Sequence, residues 1–341
     1  MIMKNTILLT GISGYIGLHC AKELLDAGYS VRGSIRNHTK GQEVRDTLAA
    51  ASVDTQNLTL VELDLTSDRG WDEAAADCEF VMHVASPFVL ANPKEPKDLI
   101  SPAIDGTLRA LRAAKKAGVQ RLVITSSIFS MMGSMKTGTF SPSDWTDVDA
   151  PDINTYTKSK TLAEKAAWDF INEQSDDAPM ELTVIAPGGV FGPPLGRNIT
   201  GQSMSMLVQM LGGKMPMVPN TAFPMVDVRD VAKLHVQALA LPETAGKRII
   251  AASSEPHGFQ SAAQFLKDEG YKGPSTRIAP NFLLRLLANF DREVKGMLGI
   301  LGMHLSSDNS QTRDLFNWTP ITFKQSVLET AAAVKAIQDH K

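Results

Sequence analysis

The chain has 341 residues, 43% hydrophobic and 21% charged, with 34 basic against 37 acidic residues and a net charge of −3. That length suffices for one large α/β domain with insertions or two closely packed domains, and the charge balance gives no general attraction to nucleic acid or an anionic membrane. Two cysteines, Cys20 and Cys78, imply no disulfide framework and point to a reducing, cytoplasmic setting; they form no CxxC and the seven histidines no HExxH, so no metal site is expected.

Ile7-Leu8-Leu9-Thr10 is too short for a secretory core and is followed at once by Gly11, so it reads as the first strand, over 6–10. Further strands are expected at 29–35, 58–63, 80–85, 121–127 and 181–187, with helices near 14–27, 40–51, 97–118 and 156–174. Short apolar runs alternating with helical stretches predict a Rossmann-type α/β fold, a doubly wound parallel sheet wrapped by helices. After Pro187 the texture changes: Gly188, Gly189, Gly192, Pro193, Pro194 and Gly196 make a loop-rich boundary. Residues 1–190 are expected to form the dinucleotide-binding domain, with segments near 224–252 returning to the sheet. Residues 191–223 and 253–341 are expected to form mainly a smaller substrate-binding domain. It holds a methionine-rich helix over 203–210 and a leucine-rich stretch at 281–290, which Arg285 interrupts and which is expected to pack as an amphipathic helix. No run reaches about 18 uninterrupted apolar residues, so no membrane span is expected.

The segment TGISGYIG places Gly11, Gly14 and Gly17 between the first strand and a helix. Glycines there permit a tight turn and close approach of a pyrophosphate to the helix N-terminus, making Gly11, Ser13, Gly14, Tyr15, Ile16 and Gly17 candidate cofactor contacts. NAD binders commonly carry an acidic residue near the end of the second strand, but here the sequence is VRGSIRNHTK. Arg36 and Lys40, with Arg32 behind them, match a 2′-phosphate instead, so NADP(H) is the expected cofactor and Arg36 the better-placed group. Asp64, followed by Leu65 after the third strand, could accept from the adenine amino group or cap the next helix.

Tyr156 and Lys160 stand four apart in NTYTKSKTLAEKAAW and so share one helix face. A phenol titrates near ~10, too high for efficient acid–base work at neutrality; a neighbouring ammonium favours its ionised form. A carbonyl that gains negative charge also needs a hydrogen bond to its oxygen, and the hydroxyls of TSS, 125–127, lie at the strand end where such ligands bind. Lys158, Glu164 and Lys165 read as the solvated face of the same helix, with Leu162, Ala166 and Trp168 packing it.

Taken together, TGISGYIG, Asp64-Leu65, HVASPF (83–88), DGTLRAL (105–111), RLVITSS (121–127), YTKSKTLAEKAAW (156–168) and FPMVDVRDVAKLHVQAL (223–239) resemble the extended short-chain dehydrogenase/reductases, especially the dihydroflavonol-reductase-like branch. That resemblance implies NADPH-dependent reduction of an aldehyde or ketone. It assigns Tyr156 as proton donor, Lys160 as ribose ligand and activator of the tyrosine, and Ser127 as the group that polarises the carbonyl. It adds Ala85, Pro187 and Val190 to the cofactor contacts. Met132 stands where plant dihydroflavonol reductases carry asparagine, and INTYTKSK replaces the NWYCYGK run of cinnamoyl-CoA reductases, so an apolar pocket of Phe88, Phe129, Met131 and Met132 is expected for another small carbonyl compound. The chain would work as a monomer or homodimer. The same three residues also serve nucleotide-sugar epimerases and dehydratases and steroid-type hydroxy dehydrogenases. An acidic residue beside the serine, as in the dehydratases, is missing, since Ile128 and Phe129 follow it. A non-catalytic dinucleotide sensor would have lost the Tyr/Lys pair.

Overall fold

A computed structural model of the chain describes residues 5–87, 93, 95–175, 179–197, 199 and 201–339. The first half runs β1 Thr6–Thr10, α1 Tyr15–Asp26, β2 Ser30–Ile35, α2 Thr39–Ala50, β3 Leu58–Glu62, α3 Trp71–Ala75, β4 Phe80–His83, α4 Lys97–Lys116, β5 Arg121–Thr125, α5 Phe129–Met132, β6 Thr137–Phe140, α6 Thr155–Asn172 and β7 Glu181–Pro187. Then follow β8 Gly189–Phe191, α7 Gln202–Leu211, β9 Val218–Pro219, β10 Ala222–Asp227, α8 Val228–Ala240, β11 Arg248–Ala251, β12 Pro256–Gly258 and α9 Phe259–Asp268. The chain closes with β13 Ile278–Ala279, α10 Asn281–Leu287, α11 Arg292–Met297, β14 His304–Ser307, α12 Ser310–Phe316 and α13 Phe323–Asp339.

Seven strands make one parallel sheet in the order β11-β7-β5-β4-β1-β2-β3. Every residue of β4 and β5 is buried, as a parallel sheet covered on both faces requires, and this is why these segments are continuous apolar runs. One face packs on α1 and α8 through Ile7, Leu9, Leu24, Val231 and Leu234; the other packs on α3, α4 and α6 through Leu8, Val81, Trp71, Leu111 and Ala167. The strand order reverses between β1 and β4. Such a reversal opens a crevice at the carboxyl ends of the strands, which sets the place of the site.

A second sheet, β12-β10-β14-β6 with β8 also paired to β10, was not legible in the sequence. Its strands have three to six residues and join distant segments, Thr137 lying opposite His304. Of the segment expected to return near 224–252, β11 extends the large sheet beside β7 while β10 builds the small one. The stretch at 281–290 corrects the expectation of a packed helix: α10 buries no residue, and Phe282 (74%), Leu286 (58%) and Phe290 (86%) are exposed. Among the described residues no helix is long and apolar enough to cross a membrane.

Three buried histidines tie the layers together. His235 of α8 joins Thr125 Oγ1 (2.7 Å) and Val231 O (2.8 Å), His83 joins Thr10 Oγ1 (2.9 Å), and His19 joins Pro193 O (3.1 Å). Burial pushes His235 and His19 down to about 4 and His83 to about 3. An unfolded histidine titrates near ~6.5, so the unfolded chain takes up these protons first; the stabilisation is full above that pH and is lost as pH falls towards 4. Urea unfolding at pH 5 against pH 7 is expected to show a loss of about 2 kcal/mol per histidine. A His235→Gln variant should narrow that difference, and an unchanged difference would refute the neutral burial of His235.

Candidate active site

The β1–α1 turn permits an approach that only glycine allows. Gly11 has φ +72°, and a Cβ on it would lie 2.9 Å from Ala85 Cα, across the reversal point of the sheet. A Cβ on Gly17 would lie 2.1 Å from Gly11 O. The turn is pinned by Gly11 N donating to Ser34 Oγ (3.1 Å) and by Ala85 N donating to Thr10 Oγ1 (3.1 Å). Helix α1 starts at exposed Gly14, with no side-chain cap and no acidic residue in its first turn; Ser13 and Ile16 are half-buried beside it. Uncapped N–H groups at the positive end of a helix dipole fit a pyrophosphate.

Tyr15 faces elsewhere. Its hydroxyl donates to Gly192 O (2.6 Å), and its ring meets His19 edge-on at 5.9 Å. Both side chains thus fasten α1 to the loop after β8. The basic residues also separate: Arg32 Nη1 donates to Ala74 O (2.8 Å) and Ala76 O (2.7 Å) at the end of α3, whereas Arg36 is exposed beyond β2. Lys40 is exposed and pairs with Glu43 (2.6 Å). Asp64 Oδ1 accepts from Thr66 N (2.7 Å) and Thr66 Oγ1 (2.6 Å), a turn cap; these bonds, with smaller help from Arg36, hold its carboxyl below the usual range. Leu65 packs where a Cβ on Gly106 would lie 2.8 Å from its Cδ2. Pro187 ends β7, and Val190 of β8 lies opposite Val226, half-buried. Arg36 and Asp64 therefore stand beyond the ends of β2 and β3 on one side of the reversal, with Ala85, Pro187 and Val190 on the other.

Helix α6 begins at Asn154, whose side chain accepts from Thr157 N (2.8 Å). That start puts Tyr156, Lys160 and Glu164 on one face. Lys160 is buried and its Nζ donates to Thr125 O (3.4 Å), which brings it to the last residue of β5. Burial draws the Lys160 ammonium down to about 8, with Glu164 acting against it. Burial also raises the Tyr156 phenol above its ordinary value, and a hydrogen bond with Ser127 opposes this. The expected lowering of the phenol by Lys160 is thus not what governs it here: desolvation is the larger effect, and the ammonium is directed at the Thr125 carbonyl.

Phe129 packs edge-on against Tyr156 (6.3 Å) and Phe223 (5.5 Å), giving the site an apolar wall. Met131 and Met132 are fully buried in a second core with Phe140, Met206 and Leu207, so their side chains pack rather than face the crevice. Phe88 lies outside the described residues. Glu164 corrects the expectation of a solvated face: it is 1% exposed and ion-paired with Arg248 at 2.5 Å. Lys158 remains on the outside and lies 3.5 Å from Asp149. Phe223, Ser34, His83 and Arg248 were missed because each is distant in sequence from the motif it supports.

Residues 7–252 match the NAD dependent epimerase/dehydratase family. The chain is 35% identical to a ketoreductase of Aspergillus niger, over 72% of this chain and 77% of that protein. It is 29% identical to an NADPH-dependent methylglyoxal reductase of Saccharomyces cerevisiae, over 72% of this chain and 77% of that one. The crystal structure of Gre2 from Candida albicans in complex with NADPH superposes with a TM-score of 0.79 at 26% identity, over 99% of this chain and 100% of that one.

Ultraviolet titration of the ligand-free protein tests the electrostatics of the site. Tyr156→Phe is expected to remove a phenol that ionises above pH ~10; removal of one that ionises near neutrality would show that Lys160, not burial, dominates.

Proposed function

This chain belongs to the NAD dependent epimerase/dehydratase family, the extended short-chain dehydrogenase/reductases, and on that premise we propose that it reduces an aldehyde or ketone to an alcohol with NADPH. It is an oxidoreductase of the dihydroflavonol-reductase-like branch, related to ketoreductases, methylglyoxal reductases and cinnamoyl-CoA reductases. The observation that supports the residue assignment best is the meeting of Ser127, Tyr156 and Lys160 at the end of β5, across the reversal point from the glycine turn.

The first turn of α1 would hold the pyrophosphate, Arg36 and Lys40 the 2′-phosphate, Asp64 and Leu65 the adenine end, and Ala85, Pro187 and Val190 the nicotinamide end. When bound, NADPH supplies hydride to the carbonyl carbon. The chain's own residues manage the oxygen. Ser127 donates a hydrogen bond to it as negative charge grows. Tyr156, whose hydroxyl is hydrogen-bonded with Ser127, would pass its proton to that oxygen. The Lys160 ammonium would then stabilise the phenolate left behind and, with the cofactor bound, help to hold its ribose. Phe129 and Phe223 exclude water from the apolar side, which suits a small carbonyl compound with an apolar substituent.

Residues 1–190, with β11 and α8, form the cofactor side of the proposed division; 191–223 and 253–341 form mainly the substrate side. Two free, buried cysteines, Cys20 and Cys78, suit a cytoplasmic protein. The chain acts as a monomer or homodimer.

Tyr156→Phe is expected to lower kcat by roughly 10²–10⁴ with NADPH affinity kept; turnover at the parent rate would remove Tyr156 from the role of acid. Steady-state rates with NADPH and NADH across aliphatic and aryl aldehydes, α-dicarbonyls and β-ketoesters test the cofactor. Arg36→Ala should raise the KM for NADPH about tenfold while leaving that for NADH alone, and a parent preference for NADH would overturn the reading of Arg36.

A further inference from the structure

Glu164 is a carboxylate placed almost wholly out of water, eight residues beyond Tyr156 and four beyond Lys160 on the same face of α6. Such a charge is tolerated only with close partners; besides Trp168 Nε1 of its own helix (3.4 Å), those partners lead back to the turn that carries Ser127. Its Oε2 accepts from Ser126 and from Ser130 Oγ (2.6 Å), the two hydroxyls that flank Ser127 in the turn after β5. Ser130 Oγ also lies 2.8 Å from Ser127 O. Its Oε1 accepts from Arg248 Nε (2.5 Å).

Arg248 is spent on the same region. Its Nη1 donates to Pro142 O (2.8 Å) and Asp144 O (2.6 Å), its Nη2 to Ser130 Oγ (3.1 Å), and its guanidinium lies 3.7 Å from the centre of the Trp145 ring. On the other side, Glu164 and Lys160 line one small cavity of about 10 Å³ with His83, Ser86 and Thr107, room for about one water. The groups facing Lys160 are few. Tyr156 and Glu164 come from its own helix, His83 from β4 is held neutral, Thr107 comes from α4, and Arg248 of β11 stands behind Glu164.

We propose that Glu164, clamped by Arg248, is a positioning residue for the Ser127–Lys160 pair: it fixes the turn that presents Ser127 and supplies the negative charge that keeps Lys160 an ammonium. The proposal rests on the reading of Ser127 and Lys160 as members of the reactive set. It differs from a purely structural pair tying α6 to β11, which would lower the unfolding temperature and leave the titration of Lys160 in place.

The test follows the Lys160 side-chain resonance against pH in the ligand-free protein, so it does not depend on turnover. In the parent that midpoint is expected near 8, drawn down by burial with Glu164 acting against it. Glu164→Gln is expected to move it down by about one pH unit. Because that variant leaves the Arg248 charge buried and unpaired, the double variant Glu164→Gln/Arg248→Met, which buries no lone charge, must show the same fall. The alkaline limb of kcat should move down with the midpoint in both glutamine variants, and kcat at neutral pH should drop roughly tenfold. A midpoint for Lys160 unmoved in the double variant, with only a lowered unfolding temperature, overturns the proposal. Parent-like turnover in Tyr156→Phe would overturn the catalytic reading instead, so the two failures are told apart.

Discussion

A Cβ on Gly17 would stand 2.1 Å from Gly11 O, and that single close approach sets the rest of the molecule. It lets α1 begin immediately behind β1, so that its first N–H groups open at the carboxyl edge of the sheet. The missing Cβ of Gly11 likewise lets Ala85, just beyond β4, come under Gly11 at the reversal of strand order. With any larger residue the helix would be pushed off the strand, and the crevice would lose the positive helix end on which the phosphate reading depends.

From that edge outward, polar contacts between distant segments bring the second half of the chain to the crevice. Tyr15 and His19 hold the 192–193 carbonyls, and Thr330 Oγ1 of α13 accepts from Gly192 N (2.8 Å). Asp227, wholly buried, is bonded by Arg229 and by Ser326 of α13. Burial raises its carboxyl, but the Arg229 and Ser326 bonds together outweigh this and hold it below the usual range. Each interaction is a charge or dipole that would be costly alone inside the protein, so the partners specify one arrangement of the loop against α1. The loop's conformation is thereby a consequence of the C-terminal helix as much as of its own glycines.

The site itself was partly legible. Glycine spacing, the strand-end serines and the Tyr/Lys interval each depend on local geometry, which sequence separation reports directly. Glu164 carried the same signal, since 156, 160 and 164 share one face, yet its type argued for solvent until the tertiary partner Arg248, 84 residues on, was seen. Met131 and Met132 show the converse: their place beside the serine turn pointed at substrate, while the second core absorbed both. α10 shows a third case, in which an apolar helix pattern finds no cover among the described residues.

What the sequence determined by itself is the parallel sheet, its order of alternation, the glycine turn, and the shared helix face of Tyr156 and Lys160. Those follow from periodicity and spacing within a few turns or one strand. What only the tertiary structure decided is the second sheet, the assignment of Arg32 to the α3 carbonyls with Arg36 left exposed, the burial of Glu164 and the desolvation around the Tyr156 hydroxyl. The physical reason is the same in each case: desolvation and long-range pairing depend on what packs against a group, and no local interval in the chain records that.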